Sequence, residues 1–470
     1  MGVLGMDLAS TLDCQARFSA YVEGVASVIG HADREGPLRD YCMGLLLPGE
    51  RKSVEPMAAI TAPARTAAQH QSLLHFVGES GWVDHDLLTK VREMVLPAIE
   101  RGGAIEAWIV DDTGLPKKGK HSVGVARQYC GQVGKQENCQ VAVSLSIANH
   151  HASLPIAYRL YLPREWAEDA ARRRKVRIPD EIEFKTKHQI ALEQIRAARK
   201  AGVPIGVVVI DSGYGASTEL RTGISLLALT YVAGILPQTK VWAIIPKRPK
   251  AIGRHKARKA KPQRISVKEL ATRLPKSAWK KITWREGSAD WLCSRFARVR
   301  VSAAPHARKL SPDQSDEWLL IEWAKGEVEP TKYWLSTLPD TISFERLVDL
   351  TKLRWRIERD YQELKQEVGL GHYEGRGWPG FHHHATLCIA AYGFLVSERE
   401  TPQALLPARA SRKLLFPPIT DPEAPPIRTE RHISNSIASV RRMLIVALTK
   451  KLGRCPCCLR KFGPNQRTIS

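Results

Sequence analysis

Between Leu350 and Lys365 the chain carries two kinds of residue on one helical period. Leu350, Leu353, Ile357, Tyr361 and Leu364 recur at the spacing of an apolar helix face, and such a face needs a partner surface to cover it. Thr351, Arg354, Glu358 and Lys365 lie beside that stripe. With Thr351 at zero and each residue turning the helix by roughly 100°, Arg354 falls at about −60°, Glu358 at about −20° and Lys365 at about −40°. The four side chains then share a strip about 60° wide that sets one acid between two bases. This predicts a single helix over about 344–367, packed on a sheet, with a strip suited to phosphate and a hard cation.

The sheet is legible upstream. Residues 1–100 read as helices punctuated by Pro37, Pro48 and Pro63. From Ile105 the texture changes to strands, at Ile105–Asp112, Ser122–Cys130, Cys139–Asn149 and Leu154–Leu162. A helix over Lys187–Ala201 ends at Gly202, and two buried-type strands follow at Ile205–Asp211 and Thr230–Ile235. Strands in series, a helix, a strand ending in Asp and a further strand resemble the ribonuclease H-like core. The expected class is therefore α/β: a mixed-sheet core over 101–237, resumed by closing helices over 340–400. A helical N-terminal domain over 1–100 would precede it, with DNA-end recognition as a candidate role. A basic, β-rich insertion domain over 238–339 would interrupt it, and a basic tail over 401–470 would follow. The insertion opens with fourteen Lys or Arg against the single acid Glu269 between Lys247 and Lys281. It continues as strands at Trp291–Ala304, Glu317–Trp323 and Tyr333–Leu338, and further helices are expected over His384–Val396 and Ser434–Lys450.

A formal net charge of +23 over 470 residues points to a polyanionic partner. DNA is favoured over an anionic membrane, because the sequence holds neither a long apolar run nor a recognisable signal peptide. Nine cysteines, scattered except at the tail, do not read as a disulfide framework, so a reducing cytoplasmic setting is expected.

Asp112 and Asp211, each expected at a strand end, would join Glu358 on the closing helix to form a three-carboxylate site. Hard oxygen donors of this kind suit two Mg²⁺ ions in phosphodiester chemistry, with Mn²⁺ able to substitute. Strand alternation sends Asp111 and Asp112 to opposite faces, so only one of the pair should reach the metals.

The segment RWRIERDYQELK resembles the signature of DDE transposases of bacterial insertion sequences, Tyr-x2-Arg-x3-Glu-x6-Lys around the third acid. Arg354, Glu358 and Lys365 match it, whereas Thr351 stands where the family has Tyr. VDDT at 110–113 is similar to the first-acid motif, VVVIDSGYG at 207–215 to the second, and QYCGQVGKQENCQVAVSLS is also family-like. The Asp-Thr match favours Asp112 over Asp111. The resemblance implies metal-dependent cleavage at the ends of a mobile element, followed by strand transfer from the freed 3′-OH. It also implies double-stranded DNA partners, a homodimer on paired ends and a nucleoid-associated bacterial protein. Arg354, Lys365 and Thr351, with Lys117 and Lys118 after the first acid and Lys247 and Arg248 in the basic stretch, are the expected DNA contacts. The alternatives are a catalytically silent DNA-binding protein of the same fold that regulates transposition, and a ribonuclease H-like nuclease without strand transfer.

Three further groups stand out. Trp279, Trp284 and Trp291 are base-stacking candidates, although burial in a core is the commoner fate of tryptophan. His382, His383 and His384 point 100° apart on a helix and do not easily clasp one ion. Cys455-Pro456-Cys457-Cys458 holds half a zinc site and lacks a nearby second pair.

Overall fold

The computed structural model describes residues 6–243, 263–286, 291–303, 317–401 and 436–449. Lys247, Arg248 and the cysteines at 455–458 lie outside them.

Five helices open the chain: α1 (Met6–Ala26), α2 (Glu35–Leu46), α3 (Val54–Thr61), α4 (Thr66–Gly78) and α5 (Asp84–Arg101). The first core strands are β1 (Ala107–Pro116), β2 (Ala126–Cys130), β3 (Lys135–Ala148) and β4 (Ser153–Leu160). Short helices α6 (Arg164–Ala167) and α7 (Ala170–Val176) lead to α8 (Lys187–Lys200). Then come β5 (Val207–Ile210), α9 (Ser212–Gly215), α10 (Thr218–Leu226) and β6 (Tyr231–Ile235).

The core order is β4–β3–β1–β5–β6. The pairs β4–β3 and β3–β1 are antiparallel, and β1–β5–β6 run parallel. This is the ribonuclease H-like arrangement. The parallel strands are near-continuous apolar runs, as burial on both faces requires.

The next elements are β7 (Lys240–Ala243), β8 (Gln263–Ser266), α11 (Val267–Arg273), β9 (Lys280–Glu286), β10 (Trp291–Val301), β11 (Glu317–Ala324) and β12 (Lys332–Ser336). Strands β7 and β8 form a small separate ribbon. Strands β9 to β12 do not fold back into a sheet of their own. Strand β12 pairs antiparallel with β6, and the order runs on through β11, β10 and β9, so the core sheet is extended at that edge.

The chain then returns along one face through α12 (Phe344–Lys352) and α13 (Trp355–Gln366), followed by α14 (Trp378–Arg399) and α15 (Ile437–Thr449). The expectation of one helix over 344–367 is corrected here. Around Leu353 and Arg354 the backbone tightens to three-residue hydrogen bonds, from Arg356 N–H to the Leu353 carbonyl (2.9 Å) and from Ile357 N–H to the Arg354 carbonyl (3.2 Å). That turn separates Thr351 from the strip that carries Glu358 and Lys365. Helix α14 is buried along nearly its whole length, because α5, α2 and α4 wrap it on one side and β4 lies on the other. No helix among the described residues is long and apolar enough to cross a membrane.

Candidate active site

Strand β1 does not stop at the acids. It runs on to Pro116, so Asp111 and Asp112 sit within the strand rather than at its end. Their register partners on β3 are Ser144 and Val143. Ser144 faces α13, where it accepts a hydrogen bond from the Tyr361 hydroxyl. Val143 lies on the α8 side, where its carbonyl accepts from Gln194 Nε2 at 3.0 Å. Alternation along the strand therefore sends the two aspartates to different helices.

Asp111 goes to α13. Its Oδ2 lies 3.1 Å from Arg354 Nη2, and its Oδ1 accepts the Asp112 backbone N–H at 2.8 Å. Arg354 Nη2 is also 3.8 Å from Asp211 Oδ2, and Nη1 bonds Glu358 Oε1. One guanidinium thus gathers carboxylates from β1, from the end of β5 and from α13. Burial pushes the Asp111 carboxyl up to about 7; Arg354 pulls against that rise, and the nearby Asp211 and Asp112 charges add to it.

Asp211 is placed by its own local chemistry. It is the N-cap of α9, and its Oδ1 accepts the Tyr214 N–H at 2.9 Å. Two glycines let α9 lie directly against β6. A Cβ on Gly215 would sit 1.9 Å from the Gly234 carbonyl oxygen, and one on Gly234 would sit 2.8 Å from Ser212 N. The glycine of the SGYG run is therefore a packing requirement at the acid's own turn.

Asp112 goes to the other side. Its Oδ2 lies 2.9 Å from Lys187 Nζ and 3.3 Å from the Tyr214 hydroxyl, which donates to it. All these groups line one open cleft of about 920 Å³, together with Tyr129, His188 and Lys365. Lys365 Nζ donates to the Gly114 carbonyl at 3.1 Å, and burial lowers its pKa.

The geometry thus brings Glu358, Asp211, Arg354 and Lys365 together as expected, but it sets Asp111 rather than Asp112 beside Arg354. Thr351 does not join them. It is 3% exposed, and its hydroxyl donates to the Leu347 carbonyl at 2.6 Å within its own helix. The expected DNA contact from Thr351 is corrected accordingly. Lys117 is half-buried and donates to the Tyr373 carbonyl at 2.5 Å, outside the cleft lining, while Lys118 is exposed. Trp279 packs edge-on against Trp323, and Trp284 packs edge-on against Phe296.

Lys187 and Tyr214 were not singled out from the sequence. Thr186-Lys-His-Gln189 spells a capping box, which the structure forms. Reading it would have placed Lys187 at the first turn of α8, facing the strands' carboxyl ends.

His382, His383 and His384 each hold separate partners. His382 accepts from Leu160 N–H and donates to the Trp378 carbonyl, His383 lies between the Val77 and Trp82 carbonyls, and His384 joins Tyr41 to the Gly369 carbonyl. A Glu106–His150–Asp349 group has ligand atoms within 4.8 Å of one another at the far end of β1. Arg346 already bridges both of its carboxylates, at 2.9 and 2.5 Å.

A model of the DDE superfamily endonuclease family matches residues 24–290, which include both β1 aspartates and Asp211 but end before Glu358. The chain is also similar to a probable transposase for insertion sequence element IS701 of Microchaete diplosiphon, at 29% identity over 194 residues. That alignment covers 41% of this chain and 47% of the relative, about half the relative's length. With more than half of its residues under the family match, the chain is a member of the DDE superfamily endonuclease family.

Proposed function

We propose that this protein is an insertion-sequence transposase, which cuts double-stranded DNA at the ends of a mobile element and joins the freed ends to a target. The observation that carries the reading is the convergence of Asp111, Asp211 and Glu358, from three separate elements, on the single cation of Arg354. Asp111 takes the place the Asp-Thr motif had suggested for Asp112, because only Asp111 shares the α13 face with Glu358.

These residues fit divalent magnesium, with manganese as a substitute. The donors are all carboxylate oxygens and a guanidinium already stands among them as the positive charge; burial, with the neighbouring Asp211 and Asp112 charges adding to it, pushes the Asp111 carboxyl up to about 7. Ions held there would supply activation of the attacking oxygen and stabilisation of the leaving one. Asp111, Asp211 and Glu358 would hold them. Arg354 and Lys365 lie on the same wall, and their charge neutralises the phosphates beside the scissile bond. The net charge of +23 supplies the long-range attraction for DNA. Two copies, one at each element end, complete the reading.

The test uses a supercoiled plasmid carrying the sequences that flank this chain's coding region, with Mg²⁺. Wild type should nick the plasmid, and Glu358→Gln and Asp111→Asn should not. Calorimetric Mn²⁺ binding should be lost in Asp111→Asn and kept in Asp112→Asn. Equal nicking by wild type and Glu358→Gln would remove the assignment. Pre-cut ends that are never joined to a target would leave a nuclease without strand transfer.

A further inference from the structure

The tandem aspartates leave Asp112 without a place at the α13 face. We propose that Asp112 holds Lys187 as a DNA-backbone contact on the wall of the cleft opposite Arg354 and Lys365, so that the nucleic-acid strand is gripped from both sides. This deepens the transposase reading and rests on it.

The geometry is specific. Lys187 is the first residue of α8, and the reciprocal capping hydrogen bonds between Thr186 and Gln189 fix that turn. Its ammonium is 2.9 Å from Asp112 Oδ2 and 5.8 Å from the centre of the Tyr161 ring. The carboxylate is itself held from a second direction by the Tyr214 hydroxyl at 3.3 Å. A lysine side chain ordinarily gives up considerable rotamer freedom to hold a ligand. Here that freedom is already restricted, because one of the three N–H donors is committed to Asp112 and the others are free to serve a phosphate oxygen. The side chain is 28% exposed and lines the same cleft as the acids. Arg354 and Lys365 come from α13, on the other face of β1, so the two walls are built by independent helices.

Asp112 is therefore a positioning residue, and its neighbour Asp111 does the metal work. Removing Lys187 alone leaves Asp112 bare in the cleft, which confounds lost contact with added negative charge. The charge-balanced pair Lys187→Ala/Asp112→Asn removes that ambiguity.

The test measures kcat/KM for plasmid nicking as a function of salt, because nicking reports only DNA seated in this cleft. In Lys187→Ala and in the double variant, KM should rise about tenfold, the lower end of what one charge-assisted hydrogen bond is worth, with kcat little changed. The slope of log kcat/KM against log salt should fall by about one. Lys187→Arg should restore both. Calorimetric Mn²⁺ affinity and melting temperature should match wild type in all three variants, which a merely structural role for Lys187 would not allow. A double variant with the wild-type salt slope overturns the proposal, since local charge rather than contact would then explain the single variant. Wild type that never nicks DNA overturns the transposase reading, and this proposal with it.

Discussion

The most demanding prediction concerns Gly215, which lies outside the cleft lining. A Cβ at that position would stand 1.9 Å from the Gly234 carbonyl oxygen. A comfortable carbon–oxygen contact is about 3.3–3.5 Å, so α9 must retreat by more than about 1 Å to admit the methyl group. Gly234 cannot yield, because β6 is locked between β5 and β12. The retreat falls on Asp211, whose carbonyl accepts the Gly215 N–H at 2.7 Å and whose carboxylate caps the same short helix. A displacement of about 1 Å at a catalytic group costs on the order of 10²-fold in rate, and overpacking of this kind destabilises by roughly 1–3 kcal/mol. Gly215→Ala should therefore nick the flanking-sequence plasmid about a hundred times more slowly than wild type. It should also melt at a lower temperature while keeping its far-ultraviolet circular dichroism. Gly36→Ala is the control, since a methyl group there meets nothing within 4 Å. Nicking by Gly215→Ala within about threefold of wild type would refute the claim that this close backbone approach positions Asp211.

Two further outcomes follow from buried groups. Thr351→Val should leave the KM for nicking unchanged and shift stability by less than about 1 kcal/mol, because the lost hydroxyl bonds only its own helix; a raised KM would return Thr351 to the DNA interface. His384 is held neutral: burial lowers its pKa to about 4, although its hydrogen bond to the Gly369 carbonyl pulls the other way. Above its ordinary value of about 6.5 the ring is uncharged in both folded and unfolded chains, so it adds no pH dependence there. As pH falls from about 6.5 towards 4 only the unfolded chain takes the proton, and stability drops by roughly 3 kcal/mol in all. The urea midpoint of wild type should accordingly fall further between neutral and mildly acidic pH than that of His384→Gln; parallel falls would show that His384 is not responsible.

Much of this protein was legible in its residues because the relevant signals are local. Apolar strands alternating with a helical period announced the mixed α/β core, and β5 and β6 appear within two residues of their expected starts. The run from Arg354 to Lys365 disclosed which of its side chains are neighbours through spacing, since helical geometry fixes that. Thr351 was misplaced for an equally physical reason. The turn at Leu353–Arg354 depends on how α12 and α13 seat on different parts of the sheet, and a regular period carries no sign of it.

By itself the sequence determined the class of fold and the basic character, and it singled out Asp211, Glu358, Arg354 and Lys365, which meet in one cleft. Packing decided the rest. Alternation along β1 required that one of Asp111 and Asp112 face α13, but which one depends on the register of β1 against β3 and on where α13 docks, so only the assembled sheet set Asp111 beside Arg354. Lys187 reached Asp112, and the strands over 280–336 became an extension of the core sheet, through contacts between segments remote in the chain. Such contacts leave no periodic trace, because their partners meet only after the chain has closed on itself.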